Sequence, residues 1–169
     1  MLGLLSACSS GPGQGQWVGD YITTNDFESV LGWGADAVSL TLDHAHSGRH
    51  AVQVGPGHEY GLTYNLPLGQ ASVHQLTGVE MEAWVYVPSA QASGALALQI
   101  IDASNGKVTH AEYFTLTEQV QEYGEWRPVR KRFMLPTGLS NDLHLRMYLW
   151  RNNSPEAVYL DDLRVKALE

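Results

Sequence analysis

The chain has 169 residues, with 10 Lys and Arg against 18 Asp and Glu, which gives a net charge of −8 at pH 7. This length suits a single domain that can fold without a disulfide or a structural metal, and the acidic balance argues against a nucleic-acid partner. The 17 glycines and 5 tryptophans are typical of a β-rich extracellular domain rather than of a helical cytosolic one.

The N-terminus carries the single cysteine of the chain, Cys8, in the run Leu4-Leu5-Ser6-Ala7-Cys8-Ser9-Ser10-Gly11. This run resembles a bacterial lipobox, which implies a lipid anchor on Cys8 and a place in the bacterial cell envelope, as an outer-membrane or surface lipoprotein, or else secretion. The preceding Met1-Leu2-Gly3 supplies neither a basic segment nor a complete apolar one. Residues 1–8 are therefore interpreted as a truncated signal, and a chance apolar N-terminus is the alternative.

The domain organisation beyond the cysteine is simple. Residues 9–16 are rich in Gly, Ser and Pro, which predicts a flexible tether. Residues 17–169 are predicted to form one domain, and no stretch in it is long and apolar enough to span a bilayer. A lipid on Cys8 is thus the predicted contact with a membrane.

Short runs of alternating apolar and polar residues, separated by turn residues, occur along the whole domain, and no long segment has helical periodicity. Asn105-Gly106 is the strongest hairpin signal. About ten short strands at hairpin spacing predict an all-β fold, an antiparallel β-sandwich of the jelly-roll type. The predicted strands include residues 38–42, 50–54, 59–66, 79–87, 95–102, 107–116, 126–135, 143–150 and 157–166.

The strand at residues 143–150 has two unlike faces, because successive side chains of a strand point to opposite sides of the sheet. One side is wholly apolar and is predicted to face the core: Leu143, Leu145, Met147 and Leu149. The other side combines two aromatic rings with a guanidinium and an imidazole: His144, Arg146, Tyr148 and Trp150. Such a row is costly to leave in water without a use, which favours a binding surface.

Three other predicted strands, at residues 79–87, 95–102 and 107–116, show the same asymmetry. If all four strands share a sheet, the side away from the core gathers one set of aromatic and polar residues: Glu82, Trp84, Tyr86, Gln99, Tyr113, His144, Arg146, Tyr148 and Trp150. Flat aromatic rings pack on the C–H faces of pyranose rings, and the polar side chains can bond the hydroxyls. Cross-strand pairing that only stabilises the sheet is the alternative explanation.

Several short motifs occur in a particular order: Asn25-Asp26-Phe27-Glu28-Ser29, Gly32-Trp33, Ala45-His46-Ser47-Gly48-Arg49-His50-Ala51, Glu82-Ala83-Trp84-Val85-Tyr86, Trp126 leading a strand, and Val158-Tyr159-Leu160-Asp161-Asp162-Leu163. In order and spacing they resemble the carbohydrate-binding modules of the galactose-binding-like jelly-roll fold, especially the group that includes families 4, 9 and 22. The resemblance covers about residues 25–166. It implies a non-catalytic module that binds a polysaccharide or oligosaccharide.

The same resemblance implies a structural calcium ion. Its ligands would be the Glu28 carboxylate, the backbone at Asp26 and at Ser47, and the Asp161 carboxylate, with Asp162 as the alternate. Calcium accepts several hard oxygen ligands, carbonyls included, and an ion here would tie the first strand to the last. The alternative is that Asp161 and Asp162 are ordinary strand-end carboxylates.

Two other kinds of chemistry are weaker hypotheses. His44, His46 and His50 have spacing that a zinc or copper site could use, but the spacing falls on a turn. A glycosidase needs two carboxylates, one with a raised pKa, and the sequence offers six glutamates without showing a pair. These are Glu80, Glu82, Glu112, Glu118, Glu122 and Glu125.

The sequence therefore predicts a glycan-binding surface lipoprotein that is not an enzyme. The rival hypothesis is a structural or assembly module, in which the same surface docks another protein of a cell-surface complex or filament.

Overall fold

The computed structural model describes residues 21–29, 33–34 and 37–169. Predictions that concern Cys8, the tether at residues 9–16 and Gly32 lie outside the described residues. Within the described ranges, no helix has the length and apolar character needed to cross a membrane.

The described residues contain ten strands and one short helix. Their bounds are β1 Tyr21–Asn25, β2 Leu40–Thr41, β3 Ala51–Val54, β4 Tyr64–Pro67, α1 Leu68–Ala71, β5 Gly78–Tyr86, β6 Ala95–Asp102, β7 Lys107–Thr115, β8 Trp126–Met134, β9 His144–Trp150 and β10 Val158–Leu168.

The strands form two antiparallel sheets. One has six strands, in the order β2-β3-β10-β5-β8 with β1 also on β10, and the other has four, in the order β4-β9-β6-β7. The 11-residue β10 is the centre of the larger sheet: residues 158–160 pair with β3, and residues 163–166 pair with β1. This architecture confirms the predicted antiparallel β-sandwich.

The two sheets bury alternate residues of each strand between them, as the period of two requires. In β9 the predicted core side is confirmed, since Leu145, Met147 and Leu149 are almost completely buried. The same core contains Leu98 of β6, the strand next to β9, and Val85 of β5, which belongs to the opposite sheet. Each such side chain contributes roughly 1.5–3 kcal/mol through its removal from water.

Two predicted strands are much shorter than expected. Residues 37–39 form a 3₁₀ turn before a strand of only two residues, and Val38 and Leu42 are 66% and 63% exposed rather than inward-facing. Residues 59–63 precede β4 as an irregular segment beside the end of β9, joined to it by two backbone bonds, Gly61 N to Leu149 O and Arg151 N to Glu59 O, both 2.8 Å. Edge segments pair on one side only, so local alternation is a weak guide to their length.

The expectation that the four asymmetric strands share one sheet is wrong for one of them. β5 lies in the six-stranded sheet, between β10 and β8, whereas β6, β7 and β9 are neighbours in the four-stranded sheet. Because the sheets pack core to core, Glu82, Trp84 and Tyr86 point away from the sandwich on the side opposite the other six predicted ligand residues. Alternation fixes which side of a strand is polar, but not which sheet the strand joins.

Candidate functional site

The outer side of the four-stranded sheet, hereafter the aromatic face, consists of Tyr60, Gln99, Tyr113, Arg146, Tyr148 and Trp150. The strand register aligns residues across this face. Ala97 of β6 lies between Tyr148 of β9 and Tyr113 of β7, and Ala95 of β6 lies opposite Trp150 of β9. The two alanines on the middle strand leave space above it. Tyr113 and Trp150 lean into that space from the flanking strands, with ring centroids 5.4 Å apart and planes tilted by 54°.

A chain of polar contacts crosses three strands of this face. Arg146 donates to Gln99 Oε1 from Nε, at 2.9 Å, and from Nη2, while Gln99 Nε2 donates to the Tyr113 hydroxyl at 3.0 Å. Gln99 is 6% exposed, so its amide is held in place by these partners below the surface. The guanidinium and the phenol are therefore positioned before any ligand arrives.

The irregular segment at residues 59–63, just before β4, contacts Trp150 and Tyr148 of the aromatic face. Trp150 Nε1 donates to Glu59 Oε1 at 2.9 Å, and Arg151 Nε lies 2.8 Å from Glu59 Oε2, so the carboxylate fixes the indole ring. Tyr60, which is 54% exposed, meets Tyr148 edge to face with centroids 5.5 Å apart. Sequence reasoning missed Glu59 and Tyr60; the tyrosine-rich run after a Gly-Pro-Gly turn was the available signal.

A shallow pocket of about 360 Å³ opens on this face, lined by Tyr60, Thr63, Gln99, Arg146 and Tyr148. The Arg146 guanidinium carbon lies 6.0 Å from the centroid of the Tyr148 ring, so a cation and an aromatic surface share the pocket. Burial raises the pKa of the Tyr148 hydroxyl, which at its ordinary value of 10 is already protonated at neutral pH and can donate a hydrogen bond.

His144 lies at the far end of β9 and does not line this pocket. Its Nδ1 is 2.8 Å from Asn65 Oδ1 of β4, a side-chain pair between neighbouring strands. Of the nine predicted ligand residues, the structure thus brings five together: Gln99, Tyr113, Arg146, Tyr148 and Trp150.

On the opposite side of the sandwich, the rings of Trp84 and Tyr86 already have partners. His46 stacks on Trp84 with centroids 3.9 Å apart and planes 15° apart, and His44 stacks on Tyr86 at 4.6 Å and 20°. Glu82 is ion-paired with Arg130 of β8. An imidazole therefore covers one face of each ring, and Trp84 also lines an open cavity of about 580 Å³ with Glu82 and Arg130.

Two carboxylates hold the loop that carries these imidazoles. Asp161 is fully buried, and its Oδ2 accepts from the backbone N–H of His46 at 2.8 Å and of Ser47 at 3.0 Å, while Oδ1 accepts from Asp162 N–H at 2.7 Å. Burial is the main cause that raises the pKa of Asp161.

Glu28 holds the other end of the same loop. Its Oε1 accepts from the backbone N–H of Arg49 at 2.6 Å and of His50 at 2.7 Å, and these bonds lower its pKa. Gly48 between the two ends has φ +56°, and a Cβ there would lie 2.6 Å from Glu28 Oε1, so only glycine fits.

The residues predicted to bind calcium do not fit the ion as they are arranged. Calcium needs several oxygen ligands directed at one point, but Asp161 Oδ2 and Glu28 Oε1 each receive two N–H donors instead. The Asp26 side chain accepts from Glu28 N–H at 3.2 Å. Calcium binding stays a prediction, and the described contacts explain these carboxylates as a clamp on the loop at residues 46–50.

The three histidines of the possible transition-metal motif have three separate partners. His44 and His46 stack on different rings, and His50 Nδ1 lies 3.2 Å from Glu28 Oε2. Across residues 21–29, 33–34 and 37–169, no group of three or more His, Cys, Asp or Glu side chains is arranged to hold a metal ion.

The six candidate glutamates have structural partners. Glu80 and Glu82 pair with arginines of β8, Glu112 with His110, Glu122 and Glu125 with Arg127, and Glu118 caps a turn through Thr115 N–H. The hydrogen bond from Arg132 lowers the pKa of Glu80, the opposite of what a general acid needs. Asp161, whose pKa is raised, is fully buried beneath its N–H donors.

Solved structures that share this architecture include carbohydrate-binding modules. The CBM22-1 xylan-binding domain from Paenibacillus barcinonensis Xyn10C matches with a TM-score of 0.54 and 20% sequence identity, over 89% of this chain and 96% of that domain. The CBM22-1-CBM22-2 tandem domain of the same protein gives a TM-score of 0.57 at 20% identity, over 93% and 47% of the two chains.

The C-terminal family 22 carbohydrate binding module of Clostridium thermocellum Xyn10B matches with a TM-score of 0.52 and 15% identity, over 88% of this chain and 93% of that one. At these identities the likeness shows a shared fold, which confirms the jelly-roll β-sandwich expected from the motifs. No protein-family model and no curated protein sequence matches the chain.

Proposed function

We propose that this protein is a non-catalytic module that binds a polysaccharide or oligosaccharide on the aromatic face. The observation that carries the proposal is the combination of two ring pairs, Tyr60 with Tyr148 and Tyr113 with Trp150, around an Arg146–Gln99 pair. Rings supply apolar surface for the C–H faces of sugars, and the guanidinium and amide supply directed bonds for hydroxyls.

The pre-formed state of these side chains favours binding. Ordering a rotamer-rich side chain on association costs about 0.5–1.5 kcal/mol, so groups already held in place reduce that cost. Gln99 is fixed by Arg146 and Tyr113, and Trp150 is fixed by Glu59. The fold of xylan-binding modules supports the choice of xylan as the first polysaccharide to test.

Binding without catalysis is supported by the partners of the carboxylates. The glutamates that sequence reasoning considered are engaged in ion pairs or a turn cap, and the carboxyl with a raised pKa, Asp161, is inaccessible. A pair of accessible carboxylates flanking a sugar bond is what hydrolysis would need.

Isothermal titration calorimetry against soluble xylan, β-glucans and mannans tests the proposal with the variants Tyr148→Ala and Trp150→Ala. We expect each variant to weaken binding at least tenfold, equivalent to about 1.4 kcal/mol. Tyr21→Ala is the matched control, because Tyr21 is a surface aromatic on the six-stranded sheet. Absence of binding to every polymer, or an equal loss in the control, would contradict the proposal.

The rival function, docking of another cell-surface protein, predicts a different result with the same variants. In that case wild-type protein binds no polysaccharide, and Trp150→Ala reduces co-purification with a partner from envelope extracts. Tyr60 and Tyr113, which are 54% and 47% exposed, would then be the contact residues.

We further propose that a lipid on Cys8 holds the module at the bacterial cell envelope. The lipobox-like run around Cys8 supports this, and residues 9–16 are predicted to be a tether that would let the domain reach away from the membrane. Expression behind a bacterial lipoprotein signal sequence, followed by detergent phase partition, should place wild type in the detergent phase and Cys8→Ser in the aqueous phase.

A further inference from the structure

Arg146 is a half-buried cation whose described contacts include no carboxylate. The chain offers two comparable residues, Arg127 and Arg151, which are also partly buried, and each has a carboxylate partner, Glu122 for the first and Glu59 for the second. The described partners of Arg146 are the neutral Gln99 amide and the Tyr148 ring.

The described surroundings of Arg146 are neutral as well. Its cross-strand neighbours are Asn65 on β4 and Gln99 on β6, and none of the described residues that line the pocket it shares with Tyr60 and Tyr148 is acidic. The nearby carboxylate of Glu59 is already bonded to Trp150 and paired with Arg151. In a chain with eight more acidic than basic residues, the positive charge in this pocket is a local exception.

The guanidinium also has donors to spare. An arginine has five N–H groups, and Gln99 Oε1 receives one from Nε and one from Nη2, so three remain, two of them on Nη1. Neighbouring N–H groups on Nη1 and Nη2 form a fork that matches the two oxygens of a carboxylate or sulfate. In a half-buried site such a pairing is worth more than on an open surface.

We propose that the glycan recognised on the aromatic face is acidic, with an anionic group, a uronate carboxylate or a sulfate ester, seated on Arg146. This inference rests on the proposed glycan-binding function and names the class of sugar chain that the site takes. The neutral rings of the ligand pack on the tyrosines and on Trp150, while the anion supplies a counter-charge that is missing from the described contacts of Arg146.

The test compares each acidic polymer with its neutral counterpart by calorimetry at low salt: glucuronoxylan with the same polymer after carboxyl reduction, and dextran sulfate with dextran. We expect wild type to bind one acidic polymer at least tenfold more tightly than its neutral form, with a preference that shrinks as salt is raised. The pair that shows the preference identifies carboxylate or sulfate as the anion.

Arg146→Gln removes the charge and should lower affinity for the acidic form at least tenfold more than affinity for the neutral form, which loses only the bonds from the guanidinium to hydroxyls. Arg164→Gln, an exposed arginine on the six-stranded sheet, is the matched control and should retain the preference. Melting curves of both variants verify that the fold is intact.

Equal affinity of wild type for the acidic and neutral forms would overturn the inference while the proposed function stands. An equal loss of affinity for the acidic and neutral forms in Arg146→Gln would also overturn the inference, because the contribution of Arg146 to binding would then not depend on the charge of the ligand. Failure of wild type to bind any polymer would instead contradict the proposed function itself.

Discussion

Asp161→Ala is expected to destabilise the fold substantially, because the buried carboxylate joins the last strand to the loop at residues 46–50. The substitution removes the acceptor for the N–H groups of His46 and Ser47, at 2.8 and 3.0 Å, and for the adjacent N–H of Asp162. The loop would lose both backbone bonds to Asp161 and keep only its side-chain bonds to Asp162 of β10, from His46 Nδ1 to Oδ2 at 2.6 Å and from Ser47 Oγ to Oδ1 at 2.8 Å.

The magnitude follows from the two loop contacts. Burial outweighs the N–H bonds and raises the pKa of the Asp161 carboxyl, so the charge itself adds no stability. The loss comes from the two loop N–H groups left without an acceptor, at about 1.5 kcal/mol each, within the range of about 1–3 kcal/mol for an unpaired buried group. The expected loss is about 3 kcal/mol, which for a domain of this size lowers the melting temperature by about 6–12 °C.

Urea and thermal unfolding, followed by tryptophan fluorescence and circular dichroism at pH 7, measure this loss. Asp161→Asn keeps one acceptor oxygen and should lose about half as much. Asp142→Ala is the matched control, because Asp142 is exposed in the turn before β9. The reasoning is refuted if Asp161→Ala falls within about 1 kcal/mol of that control.

Three further outcomes are expected. EDTA should leave the melting temperature unchanged, because the clamp carboxylates already bond N–H groups; a fall reversed by added calcium would instead support the calcium prediction. Glu80→Gln should reduce the loss of unfolding free energy on acidification. The hydrogen bond from Arg132 is the chief cause that holds the pKa of Glu80 below its ordinary 4.5. The stability that ionised Glu80 contributes is therefore present above pH 4.5 and is lost as pH falls through the lower pKa of the folded state. Urea titrations between pH 7 and pH 3 check this, and parallel curves for both proteins would contradict it. Glu59→Ala should reduce glycan affinity about three- to tenfold by freeing Trp150, as calorimetry would show, and unchanged affinity would mean that the indole needs no positioning.

Part of the candidate site was predictable from β9 alone. Its alternation placed Arg146, Tyr148 and Trp150 on one side and the core residues on the other, and the structure confirms that separation. Gln99 and Tyr113 were predictable for the same reason, since β6 and β7 follow each other through the Asn105-Gly106 hairpin. The two strands of a hairpin pair with each other through their connecting turn. The local sequence therefore predicts both which side chains share a face and which strands are neighbours.

The rest of the site depends on contacts between distant parts of the chain. Glu59 and Tyr60 reach the aromatic face through backbone bonds to β9, about 90 residues later, which no alternation reports. Trp84 is the converse case: its strand has the right pattern, but pairs with β8 and β10 on the opposite side of the sandwich.

The sequence by itself determined most of the strands and turns and the polar side of those strands, because these follow from the residue-by-residue geometry of an extended chain. Only the tertiary structure decided which polar sides share a surface, because pairing between distant strands depends on the packing of the whole sandwich. That packing divides one predicted surface into two. It covers Trp84 with a histidine and leaves Arg146 among aromatic rings, with no carboxylate among its described partners.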